Sequence, residues 1–323
     1  MKKLAVALFV FALFSLTAFS YLNPFRGPGS NKQLEIVTID SDNYDVASVR
    51  LFERGFIKSL IAFDIAHSLQ NKQGKIQPGG YYLSKNMDAW TVLNKISGKP
   101  DLKWVTVLEG MRKEQIGENL KETFNWDDGE LDKWNNTYTA MKFDYIEGVY
   151  FPDTYLIPVK DNGLEIANRM INNFNEKMVP LFPQFEKKDI LWTSGIKLAS
   201  IVQREAADSR DMPLIAGILW NRLLVGQKLQ VDATIQYAKG KTDGIWWSVV
   251  TASDIQNIDS LYNTYKHSGL PPHPISNPGI DAIKSVLNPQ ETDCLYYLHD
   301  HKSQIHCAKT YEEHLENIKK YLN

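Results

Sequence analysis

The order of apolar and polar positions along the chain predicts short strands mixed with amphipathic helices. In the first third, a strand-like run at 34–39 precedes two helical patterns within 45–70. The turn at 77–80 then leads into a strand at 81–83, and a helix over 89–96 follows with its apolar side chains on one face. This order predicts a small strand–helix–helix–strand module over residues 33–100.

A second mixture of strands and helices follows, and it predicts one larger α+β domain over residues 101–323. A strand at 103–108 precedes a helix after Gly110 with Ile116, Leu120 and Phe124 in register. A long amphipathic helix carries apolar positions from Ala167 to Met178. The polar segment 124–145 between these two helices is predicted to be a loop or a lid-like insertion.

The C-terminal third contains clear signals for where elements begin and end. A helix is predicted over Gly195–Ala207, and Asp211 is predicted to be the N-cap of the next helix, with Pro213 in its first turn and Gly226 as its stop. The remaining predicted elements are an extended segment 229–237, a helix 246–260, a proline-rich loop 262–279, a helix 280–287, a hairpin turning at 302–303 and a helix begun by Thr310 and Glu313.

One side chain interrupts the apolar face of the predicted helix 195–207. Leu198, Ile201 and Val202 lie at i, i+3 and i+4 of one stripe, and Glu205 occupies i+7 of the same stripe. Because burying an ionised carboxylate is costly, a glutamate in this place tends to stay protonated near neutral pH. Cleavage of a glycosidic bond requires such an acid. The alternative is a structural glutamate paired with an arginine: Arg204, Arg210 or Arg222.

The N-terminus predicts an extracytoplasmic protein. Lys2 and Lys3 precede the uncharged segment 4–22, which is long enough to cross a bilayer as a helix. The lysines keep the N-terminus in the cytoplasm, so residues 1–22 are predicted to be a single-pass membrane anchor. A signal peptide cleaved near residue 20 is the competing interpretation. Residues 23–32, rich in Pro, Gly and Ser, are predicted to be a linker.

Composition narrows the classes of partner. The 323 residues are 43% hydrophobic and 23% charged, and the net charge of −2 gives no electrostatic footprint for nucleic acid. The chain has 8 Trp, 15 Tyr and 14 Phe, so rings are available as stacking faces for sugars. For Trp246 and Trp247, packing in the core is the favoured interpretation.

The predicted C-terminal hairpin carries both cysteines and several histidines. Cys294 and Cys307 flank it, so their side chains could face each other and form a disulfide in an oxidising compartment. Two reduced buried thiols are the alternative. His299, His301 and His306 resemble metal-ligand spacing. Because the turn begins between His299 and His301, we expect no metal site.

Five stretches are too specific in composition to be generic elements. They are LASIVQREA (198–206), LQVDATIQYA (229–238), EGVYFPDTY (147–155), YNTY with GLPPHPISNPG (262–279) and LYYLHDHKSQIHCAKTYEEH (295–314). In these motifs the chain resembles the YceG family of endolytic murein transglycosylases, and with the N-terminal features the resemblance covers essentially the whole sequence. It implies a membrane anchor, a LysM-like module of the type that binds N-acetylglucosamine polymers, and a domain that cuts nascent peptidoglycan.

The resemblance also implies the catalytic residue. The family motif Ile-Val-Glu-x-Glu corresponds to residues 201–205, where Gln203 replaces the first glutamate and Glu205 keeps the second. Glu205 would protonate the leaving oxygen and then accept the proton of the muramic acid 6-hydroxyl, which closes a 1,6-anhydro ring without a metal or cofactor. A second departure is His273, where the family commonly has glycine.

Further polar residues of these motifs are predicted to bind substrate or to support Glu205. Asp232, Thr234 and Gln236 would share one face of the extended segment. Proline-braced loops often line sites because their ordering entropy is already removed. The alternatives are capping, turn chemistry and loop scaffolding. The full predicted set is Glu147, Asp232, Thr234, Gln236, Tyr262, Asn263, Tyr265 and Asn277.

Two other functions compete with the transglycosylase. A hydrolase of the same glycan would use Asp232 or Glu147 as its second carboxylate. A non-catalytic peptidoglycan-binding scaffold would recruit cell-wall synthases, and Gln203 is the feature that favours it. With the membrane anchor, the expected location is the inner membrane with the larger domain in the periplasm.

Overall fold

A computed structural model of the protein describes residues 23–70, 76–141, 144 and 146–322. The predicted membrane anchor or signal peptide at 1–22 lies outside these residues. Within the described ranges, no helix is both long enough and apolar enough to span a bilayer.

The structure is of the mixed α+β class, as predicted. Its strands are β1 Glu35–Ile39, β2 Gly79–Leu83, β3 Leu102–Val107, β4 Asp153–Pro158, β5 Tyr296–His299 and β6 Ile305–Ala308. Its α-helices are α1 Tyr44–Glu53, α2 Leu60–Leu69, α3 Ala89–Ile96, α4 Lys113–Phe124, α5 Asp128–Lys133, α6 Gly163–Met178, α7 Phe182–Lys187, α8 Trp192–Glu205, α9 Met212–Leu224, α10 Asp232–Lys239, α11 Ala252–Asn257, α12 Ile280–Leu287 and α13 Tyr311–Tyr321. One four-stranded sheet has the order β1–β2–β3–β4, and β5 pairs with β6 in a second sheet.

The chain forms two compact units. Of the described residues, the first unit comprises those up to Trp104 together with Leu156–Lys160, and the second comprises those within Val105–Tyr155 and from Asp161 onward. In the first unit, β1 and β2 pair antiparallel, and α1, α2 and α3 follow the predicted order. Alternate residues of β1, such as Val37 and Ile39, are buried in a core that the helices complete.

In the second unit, α8 is the central helix and packs against α9 and α12. Its stripe residues Leu198, Ile201 and Val202 are fully buried. The helix starts earlier than predicted, at Trp192, and it ends at Glu205. The start of α9 is confirmed, with Pro213 in its first turn, although Asp211 makes no capping hydrogen bond there.

The C-terminal hairpin and the helix after it are confirmed. β5 and β6 pair antiparallel from Tyr296↔Ala308 to His299↔Ile305. Cys294 and Cys307 are joined by a disulfide, with their Cα atoms 5.8 Å apart. The capping box at the start of α13 is formed by Thr310 and Glu313.

Three sequence predictions are wrong. The segment 229–237 is not an extended strand, because residues from Asp232 onward form α10. The predicted helix 246–260 is too long, because only α11 is helical in this range. The Thr251 capping box sets the start of α11. The predicted loop 124–145 contains α5 and a π-helical turn at Trp134–Tyr138. Trp134 is fully buried there, and this burial holds the segment in a regular structure.

Candidate active site

A cavity of about 340 Å³ opens beside the end of α8 in the second unit. Its walls come from α8, α9, the start of α10, the loop at 262–265, the β5 strand and α13. The lining residues are Glu205, Arg222, Gln230, Asp232, Tyr265, Tyr296, Tyr297, Tyr311 and His314. Four tyrosine rings and three charged side chains therefore surround this space.

Glu205 is the last residue of α8 and lies half-buried on the cavity wall. The hydroxyl of Tyr297 donates a hydrogen bond of 2.7 Å to its Oε2. Burial raises the pKa of the Glu205 carboxyl above its ordinary value, and the charge of Asp232 raises it further. The hydrogen bonds from Tyr297 and from the Ala233 backbone N–H lower it, as does His299. Burial thus favours the protonated form of Glu205, and two hydrogen-bond donors stabilise its anion.

Asp232 is the second carboxylate on the cavity wall. It is the first residue of α10, and the hydroxyl of Tyr265 donates a hydrogen bond of 2.6 Å to its Oδ1. Burial and this contact raise the pKa of Tyr265 well above its ordinary range. Asp232 and Tyr265, both predicted as site residues, therefore lie together beside Glu205.

Arg222 connects two segments of the chain that form the cavity wall. Its Nε donates a hydrogen bond of 2.6 Å to the Leu295 carbonyl, and its Nη1 donates to the Leu229 carbonyl. The guanidinium also lies 5.6 Å from the centre of the Tyr296 ring. Because these partners lie before β5 and before α10, one buried side chain holds both segments in place.

Glu147 lies outside this cavity and is fully buried. Its carboxyl group accepts hydrogen bonds from the Lys113 backbone N–H at 3.1 Å and from Asn277 Nδ2 at 2.8 Å. Burial and the charge of Glu114 raise the pKa of Glu147 to about 8. Glu147 therefore joins the start of α4 to the loop that carries Asn277.

The other predicted site residues support loops and do not line the cavity. Thr234 is buried, and its hydroxyl contacts Thr264 Oγ1 at 2.9 Å. The Asn263 side chain donates to the carbonyls of Ile255 and Ile258. Gln236 donates to the carbonyls of residues 247 and 248, and Tyr262 packs against the Tyr237 ring at 4.8 Å.

The helical geometry of α10 explains why some residues of the motif at 229–238 line the cavity and others do not. On a helix, Thr234 points about 200° away from Asp232, and on a strand the two would share a face. Asp232 consequently lines the cavity while Thr234 is buried behind it.

Several cavity residues were not predicted from the sequence. Tyr297 lies on β5 and Arg222 on α9, and neither was proposed as a site residue. The alternation along β5 was a usable signal, because Tyr297 and His299 fall on one face. His299 Nε2 contacts Asp211 Oδ2 at 3.1 Å, so both side chains of this face contact the segment 205–211.

Two histidines of the hairpin, His299 and His306, each contact an aspartate. His306 Nε2 contacts Asp300 Oδ2 at 3.1 Å, and His299 contacts Asp211. Across the described ranges, no three His, Cys, Asp or Glu side chains are grouped as metal ligands.

The two tryptophans of the loop before α11 are half-buried. Trp247 packs on the Arg204 guanidinium at 4.0 Å and donates to Gln115, and Trp246 packs on Arg112 at 4.5 Å. These rings are held by arginines rather than by the apolar core, and they do not line the Glu205 cavity.

The two departures from the motif pattern have defined surroundings. The side-chain oxygen of Gln203 accepts a hydrogen bond of 3.0 Å from the Gly279 backbone N–H at the start of α12. His273 lines a small crevice that Glu147 and Lys197 also line. Neither residue reaches the cavity of Glu205.

The chain is similar in sequence to known proteins. The sequence model described as the YceG-like family matches residues 37–320. An endolytic murein transglycosylase of Bacillus subtilis (strain 168) is 31% identical over 300 residues, which cover 86% of this chain and 81% of that protein. One from Streptococcus pneumoniae (strain D39) is 26% identical over 91% of this chain, and the chain spans 59% of that relative's length.

A solved structure is similar in fold. The crystal structure of a YceG-like protein from Listeria monocytogenes superposes with a TM-score of 0.64 at 26% sequence identity. The match covers 88% of this chain and 99% of that chain.

Proposed function

This chain belongs to the YceG-like family, and from that premise we propose that it is an endolytic murein transglycosylase with Glu205 as its single general acid and base. The observation that carries the proposal is the Glu205 carboxyl itself. It lies on the wall of a tyrosine-lined cavity, its pKa is raised by burial, and it accepts a hydrogen bond from Tyr297.

The proposed reaction uses one carboxyl group twice. Protonated Glu205 gives its proton to the oxygen that links N-acetylmuramic acid to N-acetylglucosamine, and the bond between this oxygen and the anomeric carbon breaks. The carboxylate then takes the proton of the muramic acid 6-hydroxyl, whose oxygen bonds to the anomeric carbon. The product carries a 1,6-anhydro end, no water is consumed, and Glu205 is protonated again.

The neighbours of Glu205 suit both halves of this cycle. Burial favours the protonated carboxyl before the first proton transfer. Tyr297 and the Ala233 N–H donate to the carboxylate that exists between the two transfers. Holding the 6-hydroxyl against the anomeric carbon replaces an external nucleophile and gives the advantage of an intramolecular reaction.

The first test is the replacement Glu205→Gln, which keeps the shape of the side chain and removes its proton chemistry. We expect release of glycan ends to fall by about 10²–10⁴-fold, with unchanged thermal unfolding. The substrate is nascent, uncrosslinked glycan, and Glu186→Gln on the exposed face of α7 is the matched control. Cleavage retained in Glu205→Gln contradicts the assignment. Glycan binding without turnover in the wild type favours the scaffold.

Asp232→Asn separates the transglycosylase from a hydrolase, because Asp232 is the only other glutamate or aspartate among the residues that line the cavity. For a transglycosylase, we expect the products to keep their anhydro ends. The loss of activity on the alkaline side should then occur at a lower pH than in the wild type. The shift is downward because the charge of Asp232 raises the pKa of Glu205. Mass spectrometry distinguishes the products, since hydrolysed ends are heavier by one water. Hydrolysed ends in the wild type, lost in Asp232→Asn, would establish the hydrolase.

The remaining proposals concern the rest of the chain. Residues 1–22 would anchor the protein in the inner membrane, and residues 23–32 would link them to a LysM-like module at 33–100. That module would bind glycan while residues 101–323 cut it in the periplasm, close to cell-wall synthases. Such an arrangement would let the enzyme terminate the elongation of nascent strands.

A further inference from the structure

Gln230 has an unusual backbone conformation at the edge of the cavity. Its φ is +51°, in the left-handed region that side chains other than Asn, Asp and Gly rarely occupy. The other non-glycine residues with positive φ in the described part of the chain are Asn125, Asp189, Asp243 and Ser303, all with short polar side chains. Gln230 is thus the one long side chain held in this conformation among the described residues.

The surrounding structure imposes this conformation. The Gln230 N–H donates a hydrogen bond of 3.2 Å to the Thr264 carbonyl. On one side, the Leu229 carbonyl accepts from buried Arg222, and on the other the Val231 N–H donates to Thr264 Oγ1 at 3.0 Å. Backbone strain persists only where neighbouring contacts impose it, and such positions concentrate at functional sites.

Gln230 lies on the wall of the cavity that holds the proposed reacting groups. The side chain is exposed and lines the same cavity as Glu205 and Tyr297. Its amide makes no hydrogen bond to any of the described residues. A carboxamide offers a carbonyl acceptor and an NH₂ donor side by side.

We propose that Gln230 recognises the acetamido group of an N-acetylated sugar next to the scissile bond, an inference that rests on the proposed glycan substrate. An acetamido group presents one N–H and one C=O, which pair with the carbonyl and the NH₂ of a glutamine. A lysine or arginine could not accept the N–H, and a carboxylate could not donate to the C=O. Gln230 is therefore a specificity residue that distinguishes N-acetylated strands from deacetylated ones.

The experiment measures binding, so that it does not depend on turnover. The full chain carrying Glu205→Gln is titrated with uncrosslinked glycan strands and with the same strands after enzymatic N-deacetylation. We expect the acetylated strands to bind about three- to tenfold more tightly. Adding Gln230→Met, which keeps the length of the side chain and removes its amide, is expected to abolish this preference by weakening only the acetylated complex.

A second variant separates recognition from folding. Gln230→Gly removes the side chain and fits a positive φ, so its melting temperature is expected to stay equal or rise while the preference is lost. Asp243→Gly is the matched control, since Asp243 has the same φ of +51° and does not line the cavity. Its preference should be unchanged.

Two results overturn the inference: equal affinity of the parent protein for both kinds of strand, or an unchanged preference in Gln230→Met. Failure of the wild type to cleave glycan would instead overturn the proposed function, and the role of Gln230 would still be decided by binding.

Discussion

At the scale of single residues, the chemistry of Glu205 depends on a balance between burial and hydrogen bonding. The apolar stripe predicted that its pKa would be raised, and the direction is confirmed. The stripe could not reveal Tyr297, which lies 92 residues away in sequence and lowers the same pKa. A neighbour at this distance leaves no trace in the local periodicity of a helix.

Tyr297→Phe removes the hydroxyl that stabilises the Glu205 carboxylate. The pKa of Glu205 should rise, and because the protonated form is the proton donor, the loss of activity at alkaline pH should move to higher pH. We also expect the maximal rate to fall about two- to tenfold, because one hydrogen bond to the anion is lost. The measurement is the rate of strand cleavage as a function of pH.

Tyr296→Phe is the matched control on the same strand, since the hydroxyl of Tyr297, and not that of Tyr296, donates to Glu205. Its alkaline limit should coincide with that of the wild type. If Tyr297→Phe leaves the limit unmoved or lowers it, the hydrogen bond does not control Glu205.

At the scale of elements, the boundaries that a few neighbouring residues determine were predicted well. Pro213 at the start of α9, Gly226 after its end and the Thr310 capping box of α13 all lie where expected. The segment 229–237 failed because its alternating polar residues also fit a short helix. Contacts of Thr234 and Val231 with Thr264, which lies far along the chain, accompany the helical choice.

The hairpin β5–β6 carries Tyr297, so its closure affects the site. Replacing both Cys294 and Cys307 by Ala opens a loop with a sequence separation of 13. The free energy of unfolding should fall by about 3 kcal/mol, because the unfolded chain regains conformational entropy. Denaturant unfolding under oxidising conditions measures the difference.

The protein should still fold without the disulfide. Asn221 and Arg222 donate to the carbonyls of Thr292, Cys294 and Leu295, and these bonds hold the approach to β5. Adding reductant to the wild type should reproduce the effect, and the double variant should not respond to reductant. Equal stability of oxidised wild type and double variant would show that the cross-link contributes nothing.

At the scale of the whole molecule, Glu147 joins distant parts of the second unit. Its partners Lys113 and Asn277 lie 34 and 130 residues away, and Tyr237 approaches it from α10. Because its pKa is raised to about 8, the folded protein holds a proton that the unfolded chain releases above a pH of about 4.3. At a pH between the unfolded and the folded pKa of Glu147, folding takes up a proton. The free energy of unfolding therefore falls as the pH rises.

The slope of stability against pH in this window is expected to approach 1.4 kcal/mol per pH unit for this one proton, and to flatten above pH 8. Glu147→Gln removes the titrating group and should remove this contribution while stability near pH 5 is largely kept. Urea unfolding at pH values from 5 to 9 measures it.

Glu186→Gln is the surface control and should keep the slope of the wild type, since Glu186 is exposed. A slope that survives in Glu147→Gln would show that the buried carboxyl is ionised throughout this range.

The sequence by itself determined the α+β class and several helix boundaries, and it singled out Glu205 as the carboxyl of the proposed mechanism. These follow from local periodicity, capping residues and motifs, whose information lies within about ten residues along the chain. Tertiary structure alone decided that Tyr297, Arg222 and Gln230 share a cavity with Glu205, and that Glu147 lies buried outside it. The physical reason is that burial and hydrogen bonding between distant segments set both the position and the pKa of a polar side chain, and no local pattern records which segments will meet.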